Sequence, residues 1–549
     1  MNKYIAGVVV VIGLAMVRVV STYPVLNGTY DEPAHIGCGM EWLRGGTYTC
    51  DLQHPPLARI AVALGPYLKG LRLAAGSNAP DHSSGSFYEE GTEILYSDGH
   101  YWSNLTWARI GTLPFLVLLC IVTFLWARRC FGDAPGFWAA LLLACTSPIL
   151  GHAGLATNDV ACAAGAALAL YQFLRWLEQP SAVRCVWWGL ATAFAVLCKF
   201  SNIPFLATCY AAGLIIITSP LTRGDFRRRL PQIGLAACVA FALVWATYRF
   251  SLIPPVVFYG PHHPVIDSML SSHPLLDSVW NSVMSTPLPL SQATMGVLDL
   301  SVHNALGHDS YLLGQWSPSG WWHFFPVVLA VKSPIGLLAL SMCGWWLVLR
   351  RWRDTDWKQS WPQLLTIVFP LAILLVCMLA RIDLGVRHIL PVYPLLAIAG
   401  GHAVTGLFQQ SRYAAIVAAF LVAWVIGDSV RAHPDYLAHF NEFAGSHPEA
   451  ILSESDLDWG QDLHRLSQRL KERGVQEFSI AYFGTALLEK AELPRYALLS
   501  PTQPSRGYIA VSLRNLNIEY KKNGSYAWLK SYTPVERIGK SIDLFYIAP

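Results

Sequence analysis

Two adjacent carboxylates stand shortly after the first apolar stretch of the chain. Asp31 and Glu32 follow residues 4–21, and Pro33 comes next. A carboxylate close to hydrocarbon is costly unless it has a partner or a function. Asp31 either caps a helix that has Pro33 in its first turn or acts as a general base that removes a proton from an incoming hydroxyl. The residues alone leave both interpretations open, and Glu32 is the second candidate for the base.

Five cationic side chains lie at or near the ends of apolar stretches on the side of this pair. Arg59 follows a rigid Pro55-Pro56 turn within residues 57–73, whose helical spacing of apolar and basic residues predicts a helix in the membrane interface. The other four are Arg109, Lys199, Lys332 and Arg387. Such cations either reach with their charged ends to the membrane interface or bind an anionic leaving group, whose negative charge grows as its bond breaks. Lys332 lies about two turns inside its apolar stretch, where an ammonium group needs a counter-charge.

Four further polar residues are candidates for binding a substrate. His35, His54 and His388 are isolated histidines, which bind a sugar or a metal or make ordinary hydrogen bonds. Asp159 either caps the helix that it opens or helps to bind an acceptor. No spacing of Cys and His resembles a zinc site, so the sequence predicts no metal and no other cofactor, with a divalent cation left open.

The composition is that of a membrane protein. Of the 549 residues, 54% are hydrophobic and 13% are charged, against about 25% charged in soluble proteins. This balance excludes a soluble enzyme, a disordered chain and a nucleic-acid-binding protein. Apolar stretches long enough to cross a bilayer as helices occur at eleven places. They are Tyr4–Ser21, Ile110–Ala127, Ala134–Gly151, Asp159–Leu177, Val183–Cys198, Ile203–Pro220, Gln232–Tyr248, Phe324–Leu349, Leu364–Ala380, Ile389–Phe408 and Tyr413–Val430.

Basic residues set the orientation of these spans. They cluster in the short loops on one side, as at residues 227–229 and 350–353, and the positive-inside rule places that side in the cytoplasm. The N-terminus is then cytoplasmic, and an odd number of spans puts the end of the chain outside. The two long loops, 22–108 and 249–323, fall on the outer face, where we expect the chemistry. The sequence predicts a multi-pass protein of the plasma (inner) membrane.

Residues 431–549 have the charge density of a soluble protein. A helical pattern at 462–473 and β-rich runs at 478–483, 508–513 and 542–547 predict a small extracytoplasmic α/β domain after a membrane domain of residues 1–430. In the first outer loop, Cys38 and Cys50 either form a disulfide in an oxidising compartment or pack separately in short helices.

Several short motifs together resemble a known superfamily. The Asp31-Glu32 pair followed by His-Pro-Pro-Leu-Ala-Arg at 54–59 resembles the protein O-mannosyltransferases, which usually have lysine where this chain has Arg59. Further motifs are similar to those of the lipid A aminoarabinose transferases, bacterial members of the same GT-C superfamily. They are Ala-Thr-Asn-Asp at 156–159, Cys-Lys-Phe-Ser at 198–201, Gly-Trp-Trp at 320–322, Lys-Ser-Pro at 332–334, Arg-His-Ile-Leu-Pro-Val-Tyr-Pro at 387–394 and Asp-Leu-Asp-Trp-Gly-Gln-Asp at 456–462.

The resemblance implies a GT-C-like membrane glycosyltransferase that takes a sugar from a polyprenyl-phosphate lipid and transfers it to a hydroxyl of a protein, lipid or glycan. In that scheme Asp31 is the base, the five cations are the pool of phosphate partners, and the reaction is a single inverting displacement. The rival interpretation is a transporter or flippase of lipid-linked sugars, although no internal repeat typical of transporters is detected. A receptor or assembly scaffold leaves the carboxylates and cations unexplained.

Overall fold

The computed structural model describes residues 3–73, 86–218, 223–259, 274–354 and 357–548. Within these ranges the chain forms a bundle of apolar helices followed by a small α/β unit. The two predicted long loops are described except for residues 74–85 and 260–273. The predicted end of the sixth span, at Pro220, also lies outside the described residues.

Seven helices in the described part of the chain are long and apolar enough to cross a membrane, and two bent pairs of helices pass the same test when each pair is taken together. With two shorter apolar helices, these elements coincide with the eleven predicted spans. The seven are Lys3–Val20, Tyr101–Phe131, Asp159–Glu178, Arg227–Thr247, Ser360–Met378, Val386–Gln410 and Arg412–Arg431; the pairs are Asp133–Ala144 with Ser147–Ala153 and Phe324–Lys332 with Ile335–Trp352; the shorter helices are Ala182–Cys198 and Asn202–Ile217. The chain is therefore a multi-pass membrane protein.

Both bends fall beside a Ser-Pro step, where the sequence predicted a continuous span. The angle is 63° between Asp133–Ala144 and Ser147–Ala153, and 112° where Phe324–Lys332 is followed by Ser333-Pro334. Proline disfavours the helical conformation in the residue before it, and Ser333 is extended, so the helix Phe324–Lys332 ends there. In the other pair the first helix ends at Ala144, and Pro148 lies in the first turn of the next helix, a position that proline favours. Lys332 therefore lies at the end of a short helix, which corrects the prediction that it is inside a straight span.

Helices also fill much of the two long loops. In the first loop they are Glu32–Gly45, Pro56–Leu68 and Ser86–Tyr96; in the second they are Val256–Tyr259, Pro274–Ser285 and Ser291–Leu306. The second loop also contains two antiparallel strand pairs, Leu252–Ile253 with Leu288–Pro289 and Ser310–Leu312 with Gln315–Ser317. A disulfide links Cys38 to Cys50, which decides the alternative that the sequence left open.

A five-stranded sheet, the helix Leu463–Glu472 and the short helix Tyr520–Asn523 belong to the C-terminal unit. Glu477–Ala481 pairs in parallel with Arg495–Leu498 and Gly507–Ser512, while Ile542–Ile547 runs antiparallel to Gly507–Ser512 and to Glu536–Ile538. The helix Leu463–Glu472 buries its leucines at 463, 466 and 470 in the core of this unit. Strand Arg495–Leu498 escaped prediction because it is an edge strand whose residues are all exposed and lack a buried face.

The segment between the last span and this unit packs on the first long loop. The backbone N–H of Tyr30 donates to the carbonyl of Trp459 at 3.0 Å, and that of Asn27 donates to Gln461 at the same distance. The boundary between residues 430 and 431 coincides with the end of the last apolar helix at Arg431. The division into two domains stays a prediction.

Small residues bring two of the apolar helices close together. Gly165, in Asp159–Glu178, lies so near Ala195 that a Cβ atom added to it would be 2.7 Å from the Cα atom of Ala195. Close approach at small residues is a common way for helices to associate within a membrane. The contact places Asp159, which begins one helix, beside Lys199, which follows the end of the other.

The predicted orientation can be tested by labelling introduced cysteines in intact cells with a membrane-impermeant maleimide. A cysteine at Gln468 should react and one at Arg228 should not, because the two positions are predicted to lie on opposite faces. Both residues are exposed, so access to the reagent is the main difference. The parent chain, in which Cys238 is exposed, supplies the background. The reverse labelling pattern would contradict the predicted orientation.

Candidate active site

A cavity of about 600 Å³ lies among the first long loop, the helix ends near Lys199 and the segment around Arg387. The charged side chains and several of the polar ones on its wall are Asp31, His35, His54, Asn158, Lys199, Arg387 and His388. Apolar residues elsewhere on the wall include Ile203, Pro204, Phe205, Leu300, Val376 and Leu379. A cavity with charged groups at one part and apolar groups over the rest suits an amphiphilic ligand.

Six of the eleven predicted site residues are therefore brought together on one cavity wall. They are Asp31, Lys199, Arg387, His35, His54 and His388. The other five do not line this cavity: Glu32, Arg59, Arg109, Asp159 and Lys332. The structural roles of these five follow from their contacts.

Asp31 faces a cation and does not cap its helix. It precedes the helix Glu32–Gly45, but its side chain makes no capping hydrogen bond. Its Oδ2 accepts a hydrogen bond from Arg387 Nη1 at 2.6 Å, and 22% of the side chain is exposed. The guanidinium of Arg387 also lies 4.6 Å from the centre of the Trp459 ring. Asp31 is thus an accessible carboxylate held by an ion pair at the cavity wall.

Lys199 reaches the cavity with a carboxylate behind it. Its Nζ donates to Asp159 Oδ1 at 2.6 Å, and Asp159 is buried. The other oxygen, Oδ2, accepts from Thr157 Oγ1 at 3.0 Å, and His152 Nδ1 lies 3.5 Å away. These contacts make Asp159 the counter-ion of Lys199, a role that neither predicted alternative included.

Glu32 and Arg109 form a buried ion pair outside the cavity. Arg109 donates to the carboxylate from Nε at 2.8 Å and from Nη2 at 2.9 Å. The same carboxylate accepts from the backbone N–H of Ala156 at 2.8 Å and from both the N–H and the hydroxyl of Thr29. With five donors on its two oxygens and no exposure, Glu32 has no capacity left to serve as a base.

Arg59 is also held by protein groups. Its Nε donates to His35 Nδ1 at 3.0 Å, and its Nη1 donates to the hydroxyl of Tyr48 at 3.1 Å and to the carbonyl of Asp51 at 3.0 Å. Its Nη2 is paired with the carboxylate of Asp51. The side chain is 1% exposed. Arg59 therefore supports the wall and does not face the cavity.

Lys332 joins the apolar bundle to the segment that leads into the C-terminal unit. Its Nζ donates to the carbonyls of Leu437 and Asp456, each at 2.7 Å, and lies 4.0 Å from the centre of the Phe440 ring. The carboxylate of Asp456 accepts from the backbone N–H of Val386, next to Arg387, at 3.0 Å. The contacts indicate that Lys332 positions the segment carrying Arg387.

Two histidines of the wall are neutral. Burial and then the charge of Arg59 lower the pKa of His35 well below its usual value. Burial, Arg59 and Lys199 do the same to the pKa of His54. The two rings are 5.4 Å apart, and Asn158 Nδ2 lies 3.1 Å from His54 Nδ1. His388 lines the same part of the wall.

Glu454 and Trp459 were not predicted as site residues. Burial raises the pKa of Glu454 to about 7, although Arg514 and Arg387 oppose the shift. Its backbone has a φ of 53°, a strained conformation for a residue other than glycine, and no local sequence pattern signals it. Trp459 belongs to the motif at 456–462, and its position under Arg387 depends on a contact across 72 residues of the chain that the motif does not reveal.

Among the described residues there is no group of three or more His, Cys, Asp or Glu side chains that could hold a metal ion. The charged groups that line the cavity are Lys199, Arg387 and the carboxylate of Asp31.

Comparison with known proteins finds a similarity of sequence in one part of the chain and a similarity of fold over most of it. The family model of the dolichyl-phosphate-mannose-protein mannosyltransferases matches residues 103–248. The structure of ArnT from Cupriavidus metallidurans bound to undecaprenyl phosphate is similar over 98% of this chain and 97% of that one, with a TM-score of 0.51 and 13% sequence identity. An oligosaccharyltransferase from Archaeoglobus fulgidus, tethered to an acceptor peptide, matches 97% of this chain and 72% of that one, with a TM-score of 0.52 and 11% identity. No functionally curated sequence gives a significant match.

The chain has the GT-C fold. The matching family model is that of a glycosyltransferase, and the fold extends over nearly the whole chain. The predicted superfamily, fold class and enzyme class are confirmed.

The Glu32–Arg109 pair generates a prediction about stability. Glu32→Gln leaves the buried Arg109 without its counter-charge, which typically costs about 3–5 kcal/mol. Thermal unfolding of the purified protein in detergent should shift clearly downward, whereas Glu89→Gln, at an exposed position of the same loop, should have little effect. A Glu32→Gln protein with unchanged stability and lost turnover would instead assign the base to Glu32.

Proposed function

We propose that the protein transfers a sugar from a polyprenyl-phosphate donor to a hydroxyl acceptor on the outer face of the membrane, in a single inverting displacement. The observation that carries the proposal is the cavity wall itself, where Lys199, Arg387 and Asp31 lie together beside an apolar surface. The bound undecaprenyl phosphate of the similar ArnT structure supports the donor class. The acceptor is a protein, a lipid or a glycan.

Lys199 and Arg387 are the cations that bind the donor phosphate. Both line the cavity, and each already faces an anion, so the wall is built to hold negative oxygen atoms. As the sugar departs, charge grows on the phosphate, and positioned cations in a water-poor site stabilise that growing charge. The polyprenyl chain follows the apolar wall, where its burial contributes by the hydrophobic effect.

Asp31 is the base. Its carboxylate takes the proton of the acceptor hydroxyl while the oxygen attacks the anomeric carbon, and the bond from that carbon to the phosphate oxygen breaks. The phosphate leaves with the bonding electron pair, and the configuration at the anomeric carbon inverts. Side-chain cations suffice for this scheme, so the proposal includes no metal.

Two features support an outer-face site in the plasma (inner) membrane. The Cys38–Cys50 disulfide lies in the loop that carries Asp31, and disulfides persist in oxidising compartments outside the cytosol. The basic residues of the short loops favour the same orientation through the positive-inside rule. The cytoplasmic N-terminus and the extracytoplasmic C-terminal unit are part of this proposal.

The function is tested by incubating purified protein with a panel of polyprenyl-phosphate sugars and candidate acceptors and measuring the release of free polyprenyl phosphate. Sugar-dependent release supports a transferase. Movement of the lipid-linked sugar across a vesicle membrane without release would instead favour the rival transporter or flippase.

Asp31→Asn tests the base on the panel member that gives release. Turnover at saturating donor should fall by about 10²–10⁴-fold, as is typical when a general base is lost. The affinity for undecaprenyl phosphate should persist, because the variant loses an anion and not a cation. Asp98→Asn, an exposed position in the same loop, is the matched control. Near-normal turnover in Asp31→Asn would rule out this assignment.

Variants of Lys199 and Lys332 distinguish a cation that binds the phosphate from a cation with a structural role. Lys199→Gln should weaken undecaprenyl phosphate binding by roughly 1.5–3 kcal/mol, the range for a hydrogen bond to a charged group. Lys332→Gln should lower the thermal stability and leave the affinity of the folded fraction nearly unchanged, because Lys332 contacts backbone carbonyls away from the cavity. If Lys199→Gln and Lys332→Gln lost affinity equally, Lys332 would again count among the residues that bind the phosphate.

A further inference from the structure

The contact between Arg59 and His35 determines which ring nitrogen carries the proton. A guanidinium N–H can only donate, so His35 Nδ1, at 3.0 Å from Arg59 Nε, must accept. A neutral imidazole then has its proton on Nε2. Within the described part of the chain the only hydrogen bond of the His35 ring is the one at Nδ1, and the residue lines the cavity. His35 is thus a neutral N–H donor available to a ligand.

His54 is held in a matching state. Asn158 Nδ2 donates to His54 Nδ1 at 3.1 Å, which again leaves the proton on Nε2. The hydroxyl of Tyr48 donates to the carbonyl of His54 at 2.8 Å and accepts from Arg59. Arg59 therefore contacts one histidine directly and reaches the backbone of the other through Tyr48.

The disulfide connects the two ends of this network. Cys38 lies one helical turn after His35, and Cys50 precedes Asp51, whose carboxylate and carbonyl hold Arg59. The bond therefore keeps the helix that carries His35 in register with the segment that anchors Arg59. Side chains locked by packing and by further hydrogen bonds are what a precise binding site requires.

We propose that Arg59 is a positioning residue, which, with Tyr48 and Asp51, holds His35 and His54 as neutral N–H donors to the phosphate oxygens of the donor lipid. The inference rests on the proposed function and assigns Arg59 a role different from direct contact with phosphate. Phosphate oxygens are strong acceptors. Two neutral donors add hydrogen bonds beside Lys199 and Arg387 without adding charge to a buried wall.

A double-mutant cycle tests the inference through binding alone. The dissociation constant of undecaprenyl phosphate is measured for the parent, Arg59→Lys, His35→Phe and the double variant. Lysine keeps the charge but cannot reproduce the guanidinium fork that reaches His35, Tyr48 and Asp51 at once. Each single change should weaken binding by about tenfold, the effect of one lost hydrogen bond to a charged group. The double variant should be weaker than His35→Phe by clearly less than the loss that Arg59→Lys causes in the parent, because most of the effect of Arg59 passes through His35 and only its indirect contact with His54 remains.

Two further variants separate positioning from general damage. His35→Gln should recover part of the affinity, since its amide can both accept from Arg59 and donate into the cavity. Arg44→Lys, at an exposed position of the helix that carries His35, should bind like the parent.

The outcomes distinguish three errors. Losses that add fully in the double variant would show that Arg59 acts without His35, and full affinity in His35→Phe would remove His35 from the site; either result overturns the inference and leaves the proposed function standing. Failure of the parent to prefer undecaprenyl phosphate over undecaprenol would instead contradict the proposed function itself, and the inference with it.

Discussion

The buried pair of Glu32 and Arg109 is the interaction on which the site depends. It joins the loop at residues 26–29, the start of the helix Glu32–Gly45, the part of the helix Tyr101–Phe131 around Arg109 and the backbone at Ala156. Successive residues of a helix point about 100° apart. Once Glu32 is fixed toward the protein interior, Asp31 is directed away from it, and its side chain meets Arg387 at the cavity wall. Two carboxylates adjacent in sequence thus have different roles because only one of them has its oxygens fully bonded.

The cations divide in the same way. Arg109, Arg59 and Lys332 each make several hydrogen bonds to protein groups and lie outside the cavity, whereas Lys199 and Arg387 line it. An unpaired charge is costly in a low-dielectric environment, and each cavity cation has one carboxylate partner, Asp159 or Asp31. A wall balanced in this way stays stable when empty. An anionic ligand must then compete with, or add to, the carboxylate that is already present.

The sequence was sufficient for features that depend on local composition. Runs of apolar residues predicted the spans, and alternating or helical patterns predicted most of the C-terminal unit. The bend after Lys332 was missed because hydropathy averages over the Ser-Pro step. The division between cations that line the cavity and cations that are bonded to protein groups outside it also escaped prediction. It depends on partners far away in the chain: Glu32 lies 77 residues from Arg109, and Leu437 lies 105 residues from Lys332. A cation near a helix end is visible in one sequence, but the group that it faces is not.

The Asp31–Arg387 pair links the proton transfer to the departure of the phosphate in the proposed reaction. While Asp31 is ionised, it shares the charge of Arg387 across 2.6 Å. When the acceptor proton reaches Asp31, the carboxyl group becomes neutral and its attraction for the guanidinium falls. At the same moment the leaving phosphate, which carries one negative charge as a diester, gains a second. Arg387 therefore becomes more available when the phosphate needs it, and its interaction with the phosphate is stronger in the transition state than in the bound ground state. Only such a difference accelerates a chemical step, so the ion pair supplies charge to the leaving group as the reaction proceeds.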